Sequence, residues 1–250
     1  MTLDVCTEAV RQQDPDRFGA ALVAPPKSRP GLITLYALNL EVARAPFQSA
    51  EPMLAEMRVQ WWVDRLAEMG RGTAPPLHDV LTPLWQEWGS EAGALVGLAE
   101  ARRRDAGRDA FDSVDEIVAY IDATAGGLMW AAARHLGAKA QQVIAAQARG
   151  AGIAAWLRAL PQLRALGLGL RHDGAAEVQE LARIGLQGFA AARRQHRQVA
   201  RSAAAALYPG PGAGAFLRGV ARSGLDHPPV TPFARRGSLA WLALTGRWWI

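Results

Sequence analysis

Clustered carboxylates are the residues with the clearest potential for chemistry, because magnesium binds through carboxylate oxygens. Five acids crowd one stretch of the chain: Asp105, Asp109, Asp112, Asp115 and Glu116. Asp105 and Asp109 are four residues apart and would share a face if one helix ran through both. Gly107 weakens such a helix. Four arginines stand among the acids: Arg102, Arg103, Arg104 and Arg108. A solvated, ion-paired surface is therefore the simpler interpretation of this cluster.

The other residue types that carry chemistry are sparse. The five histidines form neither a His-x-x-x-His pair nor a Glu-x-x-His motif, which argues against a histidine metal site. The chain lacks Gly-x-Gly-x-x-Gly, a phosphate-binding loop with a lysine, and Gly-x-Ser-x-Gly. A single cysteine, Cys6, excludes a disulfide framework and favours a reducing compartment.

The segment from Glu56 to Asp64 is the most distinctive, because it contains the adjacent tryptophans Trp61 and Trp62. Neighbouring residues on a helix point about 100° apart. One indole can therefore enter the core while the other lines a cavity or faces a partner. Packing alone would also explain either tryptophan.

Helices must position these residues, because apolar residues recur at spacings of three and four while alternating strands rich in valine and isoleucine are absent. Half of the residues are hydrophobic, which is enough for a sizeable core. We predict an all-α fold in a single domain over residues 1–250. The predicted helices span residues 3–13, 17–24, 28–46, 51–69, 76–89, 93–104, 113–136, 138–160, 175–207, 214–222 and 233–248.

Several short motifs follow one another along the chain. They are DPDRF at residues 14–18, RPGLITLYALN at 29–39, EPML at 51–54, RVQWW at 58–62 and TAGGL at 124–128, ahead of LG at 136–137. In order and spacing they resemble the squalene/phytoene synthase family over about residues 8–205. The resemblance implies an isoprenoid synthase fold. Active members join two prenyl diphosphates head to head, and their two aspartate-rich motifs bind the magnesium that holds the diphosphates.

This sequence departs from the family pattern at the aspartates. The substituted positions are Ala43, Arg44 and Phe47 in the first motif and Ala159 and Leu163 in the second. Only Glu41 is acidic near the first motif, and Arg158 matches the family's arginine beside the second. We therefore expect no catalytic residue, no metal ligand and no cofactor. Within the family the departure is similar to a branch related to a mitochondrial respiratory complex I assembly factor, which implies a helper protein.

The resemblance also implies a central cavity, with mainly apolar walls where the metal site would have been. Tryptophan and tyrosine suit such walls because each combines a large apolar body with one polar group. The candidate lining residues are Tyr36, Glu41, Arg58, Trp61, Trp62, Asp105, Tyr120, Trp156 and Arg158.

Three functions remain open at this point. The first is a non-catalytic assembly or binding factor with a membrane-associated protein partner, such as a respiratory complex. The second is an active prenyltransferase with an unusual magnesium site built from Glu41, Asp64 and Asp105. The third is an isoprenoid- or lipid-binding protein without catalysis.

The C-terminal part is strongly basic. Residues 151–250 carry four acids and 13 bases, and residues 209–250 form a basic extension beyond the strongest resemblance. Contact with an anionic membrane or a partner is one expectation and a packed final helix the other; no nucleic-acid partner is expected. The candidate contact residues are Arg235, Arg236, Trp241, Arg247, Trp248 and Trp249. Since the N-terminus fits neither a secretory signal nor a transit peptide, we expect a cytoplasmic protein, peripheral on the inner membrane.

Overall fold

Helices account for most of the chain. The structure is a computed structural model that describes residues 3–172, 174–225 and 231–250. It is 78% helical, and its only β pairing within these residues is an isolated bridge between Phe111 and Leu170. The prediction of an all-α fold is therefore confirmed.

The chain forms two compact units, Met1–Arg108 and Asp109–Ile250. The single-domain organisation stays a prediction. The helices described in the first unit are α1 (Leu3–Gln13), α2 (Pro15–Val23), α3 (Arg29–Arg44), α4 (Pro52–Gly70), α5 (Leu81–Trp88), α6 (Val96–Glu100) and α7 (Arg103–Gly107). Short 3-10 segments cover Pro26–Ser28, Ala45–Gln48 and Gly89–Leu95.

The first unit is organised around α3, which packs against α1, α2 and α5. Pro30 lies in the first turn, where a missing N–H costs little. Leu32, Leu35 and Leu38 are fully buried along the helix. The indole of Trp88 at the end of α5 donates a hydrogen bond to the Gly31 carbonyl, at 3.0 Å. These contacts fix the helix that leads into the first substituted motif.

The helices described in the second unit are α8 (Val114–Ile121), α9 (Gly127–His135), α10 (Gln141–Ala165), α11 (Ala175–Arg194), α12 (Ala213–Ser223) and α13 (Pro232–Thr245). A π-helical turn, Asp122–Gly126, joins α8 to α9, and 3-10 segments cover His196–Gln198 and Arg201–Leu207. The long helix α10 packs along α11 and against α12. Helices α10 and α11 approach closely because Gly150 leaves room for the ring of Phe189. A Cβ on Gly150 would lie 2.6 Å from that ring.

Six predicted helices differ from the structure. The helix over 93–104 is divided between the 3-10 segment Gly89–Leu95, α6 and α7, and the last helix ends at Thr245. The helix predicted over 76–89 begins only at Leu81, with Pro83 in its first turn, so no kink forms. The helix over 113–136 contains the π turn. Pro161 does not end α10, because a proline removes one backbone bond and the later N–H groups carry the helix to Ala165. The helix over 175–207 stops at Arg194, and the 3-10 segments His196–Gln198 and Arg201–Leu207 follow it.

Candidate functional site

The outer face of α4 is unusually apolar. Met53, Leu54 and Met57 are 75%, 44% and 62% exposed, and Trp61 continues the same face at 39%. The opposite face is buried and includes Trp62, which is 6% exposed. The two adjacent indoles therefore face different surroundings, as helical geometry dictates.

A groove of about 520 Å³ runs beside this face. Eight residues from α3, α4, the 3-10 segment Ala45–Gln48 and the loop before α5 line it: Glu41, Gln48, Leu54, Met57, Arg58, Trp61, Trp62 and His78. We call this the α4 groove. All of its lining residues lie within the first unit.

Three aromatic rings form one wall of the α4 groove. The ring centroids of Trp61 and Trp62 are 5.0 Å apart, and the ring of His78 lies 5.5 and 5.3 Å from them. Nδ1 of His78 accepts hydrogen bonds from the backbone N–H groups of Val80 and Leu81, at 3.1 and 3.3 Å. Since Nδ1 is an acceptor, the proton of the neutral ring is assigned to Nε2. His78 thus caps α5 while its ring packs on the tryptophans.

The polar residues of the α4 groove are already engaged within the first unit. Arg58 donates from Nη1 to the side-chain oxygen of Gln48, at 3.0 Å. Glu41, the only acid in the groove lining, pairs with Arg44 at 3.3 Å. Arg44 in turn donates to the side-chain oxygen of Gln13, at 2.5 Å. The groove therefore offers an apolar wall with a guanidinium and an imidazole beside it, which is the composition of a binding site.

Four of the predicted lining residues line this groove, namely Glu41, Arg58, Trp61 and Trp62. Sequence reasoning missed the other four, Gln48, Leu54, Met57 and His78. Leu54 and Met57 could have been predicted, because their spacing of three and four residues places them on the same helix face as Trp61. No comparable pattern marks Gln48 or His78, which reach the groove from other segments.

Two further predicted lining residues of the first unit are buried away from the α4 groove. Tyr36 is 3% exposed on α3, and burial raises its pKa to about 12, with Asp14 adding to the rise and Arg17 opposing it. Asp105 is 4% exposed and pairs with Arg102 at 3.5 Å. Their side chains belong to the interior.

The remaining predicted lining residues, Tyr120, Trp156 and Arg158, lie in the second unit. The rings of Tyr120 and Trp156 lie 5.4 and 6.2 Å from that of Phe111, in a cluster of aromatic edges. Arg158 donates from Nη2 to the Pro211 carbonyl, at 2.9 Å, and its guanidinium lies 4.8 Å from the ring centre of Phe216. The central cavity inferred from the resemblance stays a prediction.

The positions that the resemblance assigns to the aspartate-rich motifs carry no carboxylate side chain. Ala43, Ala159 and Leu163 carry no side-chain oxygen, and Phe47 is an apolar residue that is 36% exposed. Across residues 3–172, 174–225 and 231–250, no group of three or more histidine, cysteine, aspartate or glutamate side chains could hold a metal ion. The side chains at the motif positions offer no carboxylate oxygens, so they do not fit the magnesium that the family resemblance implies.

The C-terminal tip is packed on the protein, which corrects the predicted end of the last helix and one predicted contact residue. The last helix ends at Thr245 and not at Trp248, because Gly246 adopts a left-handed conformation with φ of 68°. Trp248 is 3% exposed, so it is unavailable for membrane or partner contact. Trp249 stacks on His196, with ring centroids 4.1 Å apart.

The other predicted contact residues lie on the last helix or directly after it. Trp241 is 54% exposed, and Arg236 and Arg247 are also exposed, whereas Arg235 is half-buried. Within the part of the chain that the structure describes, no helix is long and apolar enough to cross a membrane.

Comparison with known proteins identifies relatives of two kinds. Curated relatives are the "NADH dehydrogenase (ubiquinone) complex I, assembly factor 6" proteins of Homo sapiens and Mus musculus, each 25% identical, over 168 and 162 residues. Each match covers 62% of this chain and 48% of the relative, so the chain spans about half the length of these proteins.

A solved structure shares the fold. It is a dehydrosqualene synthase in complex with ligand, with a TM-score of 0.68, 11% identity, and coverage of 96% of this chain and 94% of the other. This likeness confirms the isoprenoid synthase fold that the resemblance implied. The family model for squalene/phytoene synthase matches residues 10–160, which is more than half of the chain, and the chain therefore belongs to the squalene/phytoene synthase family.

Proposed function

We propose that this chain is a non-catalytic member of its family that works by binding, as an assembly factor for a membrane respiratory complex. The observation that carries the proposal is the donor set at the motif positions, where Ala43, Arg44, Phe47, Ala159 and Leu163 stand. Departure of a diphosphate builds negative charge that a divalent ion must offset. Without carboxylates there, the fold keeps its shape and loses the means of holding that ion.

The relatives support the second half of the proposal. Proteins named as complex I assembly factors match 62% of the chain. An assembly factor needs a surface that holds a partner and releases it. The α4 groove offers one, because exposed methionines adapt their shape to different partners and Trp61 and Arg58 are residue types that dominate binding energy at interfaces.

The groove and the assembly role are tested together in a strain from which the gene is deleted. We expect less fully assembled NADH dehydrogenase on native gels, restored by the wild-type gene. Met57→Asp, which places a charge on the apolar wall of the α4 groove, is expected not to restore it. Leu22→Asp is the matched control, since Leu22 is 48% exposed on α2 and does not line the groove.

Two outcomes would contradict this account. Unchanged NADH dehydrogenase in the deletion strain would remove the assembly role. Full rescue by Met57→Asp, with the variant present at wild-type abundance, would remove the α4 groove from that role. Circular dichroism of the purified variants separates either result from misfolding, because both substitutions lie at exposed positions.

A second candidate function is binding of an isoprenoid or another lipid in the α4 groove. A volume of about 520 Å³ lies within the range of small-molecule pockets, which combine apolar walls with a few polar groups. The wall of Leu54, Met57 and Trp61 beside Arg58 has this composition. Native mass spectrometry after gentle extraction should then show one bound lipid that Met57→Asp removes.

A further inference from the structure

The last helix, α13, carries its apolar stripe on the side that faces away from its own unit. Phe233, Trp241 and Leu244 are 87%, 54% and 76% exposed. Residues at offsets of 4, 7, 8 and 11 along a helix share a face, so Gly237 and Ala240 lie on the same stripe. We call the set Phe233, Gly237, Ala240, Trp241 and Leu244 the α13 outer face. A stripe of this kind normally packs on the protein, and here it does not.

The opposite side of α13 is held firmly to the second unit. Leu242 is 1% exposed. The hydroxyl groups of Tyr208 and Ser238 are 2.6 Å apart, and Arg201 donates from Nη2 to the Leu244 carbonyl, at 2.7 Å.

The chain beyond α13 is also fixed. The side-chain amide of the fully buried Gln147 donates to the carbonyls of Leu207 and Trp248, at 3.0 and 3.1 Å. A Cβ at Gly214 would lie 2.4 Å from Cγ2 of Ile250, which shows how closely the last residue packs on α12. The helix is therefore docked by its inner side, and the α13 outer face is a fixed surface rather than a loose end.

Positive charge surrounds the C-terminal end of this face. Residues 181–250 contain ten arginines and a single acid, Asp226. Arg201 contacts the last turn of α13, and Arg247 lies with its guanidinium 5.9 Å from the ring centre of Trp249. His196, which stacks on Trp249, places the exposed Arg197 in the same area. Arg197, Arg201 and Arg247 therefore place positive charge beside the C-terminal end of this face, which favours an anionic partner.

We propose that the α13 outer face lies on an anionic lipid surface, with Phe233, Trp241 and Leu244 at the headgroup boundary and the arginines on the lipid phosphates. Aromatic and aliphatic side chains flanked by arginine are the composition of interfacial helices. Arginine pairs with phosphate in two-point geometry. This inference goes beyond the proposed assembly role, because it concerns a different unit of the chain and needs no protein partner.

Vesicle flotation with the full-length chain tests the proposal. We expect binding to vesicles of phosphatidylcholine mixed with phosphatidylglycerol, little binding to phosphatidylcholine alone, and release by high salt. The triple variant Phe233→Ser, Trp241→Ser, Leu244→Ser should bind the mixed vesicles roughly tenfold or more weakly. Its matched control is Leu22→Ser, Leu77→Ser, Leu166→Ser, which removes exposed apolar side chains that belong to neither α13 nor the α4 groove and should bind like wild type.

Brominated lipids locate the contact directly. Bromine on the acyl chains should quench part of the tryptophan fluorescence, and Trp241→Phe should remove that part while vesicle binding remains. Equal binding by wild type and the α13 triple variant would overturn the proposal. The proposal would also be overturned if the wild-type chain did not bind anionic vesicles but bound an acidic protein through the same residues. The α13 outer face would then be a protein-binding surface. Rescue of NADH dehydrogenase by the Met57→Asp gene is a separate readout and distinguishes a failure here from a failure of the assembly role.

Discussion

Cys6 lies on α1 with no exposed surface, and its thiol donates to the Asp79 carbonyl at a distance of 3.5 Å. Burial raises the pKa of the thiol to about 11, and the nearby charge of Asp79 adds to the rise. A thiol in such surroundings is a packing residue rather than a reactive one, because the thiolate is the nucleophilic form.

This pKa predicts a loss of stability in alkali. The pKa of Cys6 in the folded protein is above its unfolded value of 9.0. The stability that the buried neutral thiol contributes is therefore fully present below pH 9 and is lost as the pH rises toward 11. Between pH 9 and 10 the loss should come from Cys6, since Tyr36 begins to act only above its unfolded value of 10.0. Urea unfolding should show a smaller fall over this interval in Cys6→Ala. An equal fall in wild type and variant would assign it to other groups.

The two tryptophans of α4 predict unequal losses of stability on truncation. Trp62→Ala removes a buried indole and should lower the free energy of unfolding by about 3–5 kcal/mol. Trp61→Ala removes a side chain that is 39% exposed and should cost roughly half of that or less. Paired thermal or urea unfolding curves measure the difference. Similar losses for both would show that Trp61 is also a core residue.

At the residue scale, Arg58, Trp61 and Trp62 were predicted as lining residues because they belong to the RVQWW motif, and they line the α4 groove. His78 was missed, since its role depends on the backbone N–H groups of Val80 and Leu81 and on the distance to α4, which no local pattern encodes.

At the scale of elements, the backbone of α4 directly contacts the backbone of the 3-10 segment Gly89–Leu95. A Cβ on Gly93 would lie 2.5 Å from the Cα of Gly70, and one on Gly70 would lie 2.9 Å from the Cα of Gly93. A backbone atom cannot move aside as a flexible side chain can. This crossing therefore holds the C-terminal end of α4 in place and contributes to the orientation of the α4 groove.

The close approach predicts that Gly93→Ala destabilises the protein by about 1–3 kcal/mol, through overpacking. The matched control is Gly97→Ala in α6, where nothing lies within 4 Å of the added Cβ. That change should be neutral or stabilise by about 0.5–1 kcal/mol, because alanine favours the helix. Urea midpoints of the two variants provide the comparison. Equal midpoints would mean that the crossing relaxes at little cost.

Elements were predictable where local signals agree with packing. The bounds of α1 match the expectation, and α3 begins at the predicted proline turn and ends within two residues of Pro46. The π turn at Asp122–Gly126 was not predictable, because it depends on the close packing of this turn against α10. A Cβ on Gly152 of α10 would lie 2.5 Å from Ile121 and 2.8 Å from Ala125. The bidentate pair of Arg149 with Asp122, at 3.0 and 2.5 Å, also joins α10 to this turn.

At the scale of the whole molecule, the fold was accessible from the order of several motifs, each too short to identify it alone. The family match over residues 10–160 and the TM-score of 0.68 with a dehydrosqualene synthase confirm it. The fold does not decide the function, because one fold can host different functions. The substituted motif positions and the exposed faces of α4 and α13 therefore decide the proposed role.

The central claim is that this chain binds a partner and does not convert prenyl diphosphates. An assay for the release of diphosphate tests it most directly. The purified full-length chain would be incubated with farnesyl or geranylgeranyl diphosphate and magnesium, beside an active dehydrosqualene synthase. We predict release no faster than without protein and no head-to-head product, with or without a chelator. Magnesium-dependent formation of squalene, dehydrosqualene or phytoene that scales with protein and stops with the chelator would contradict the account.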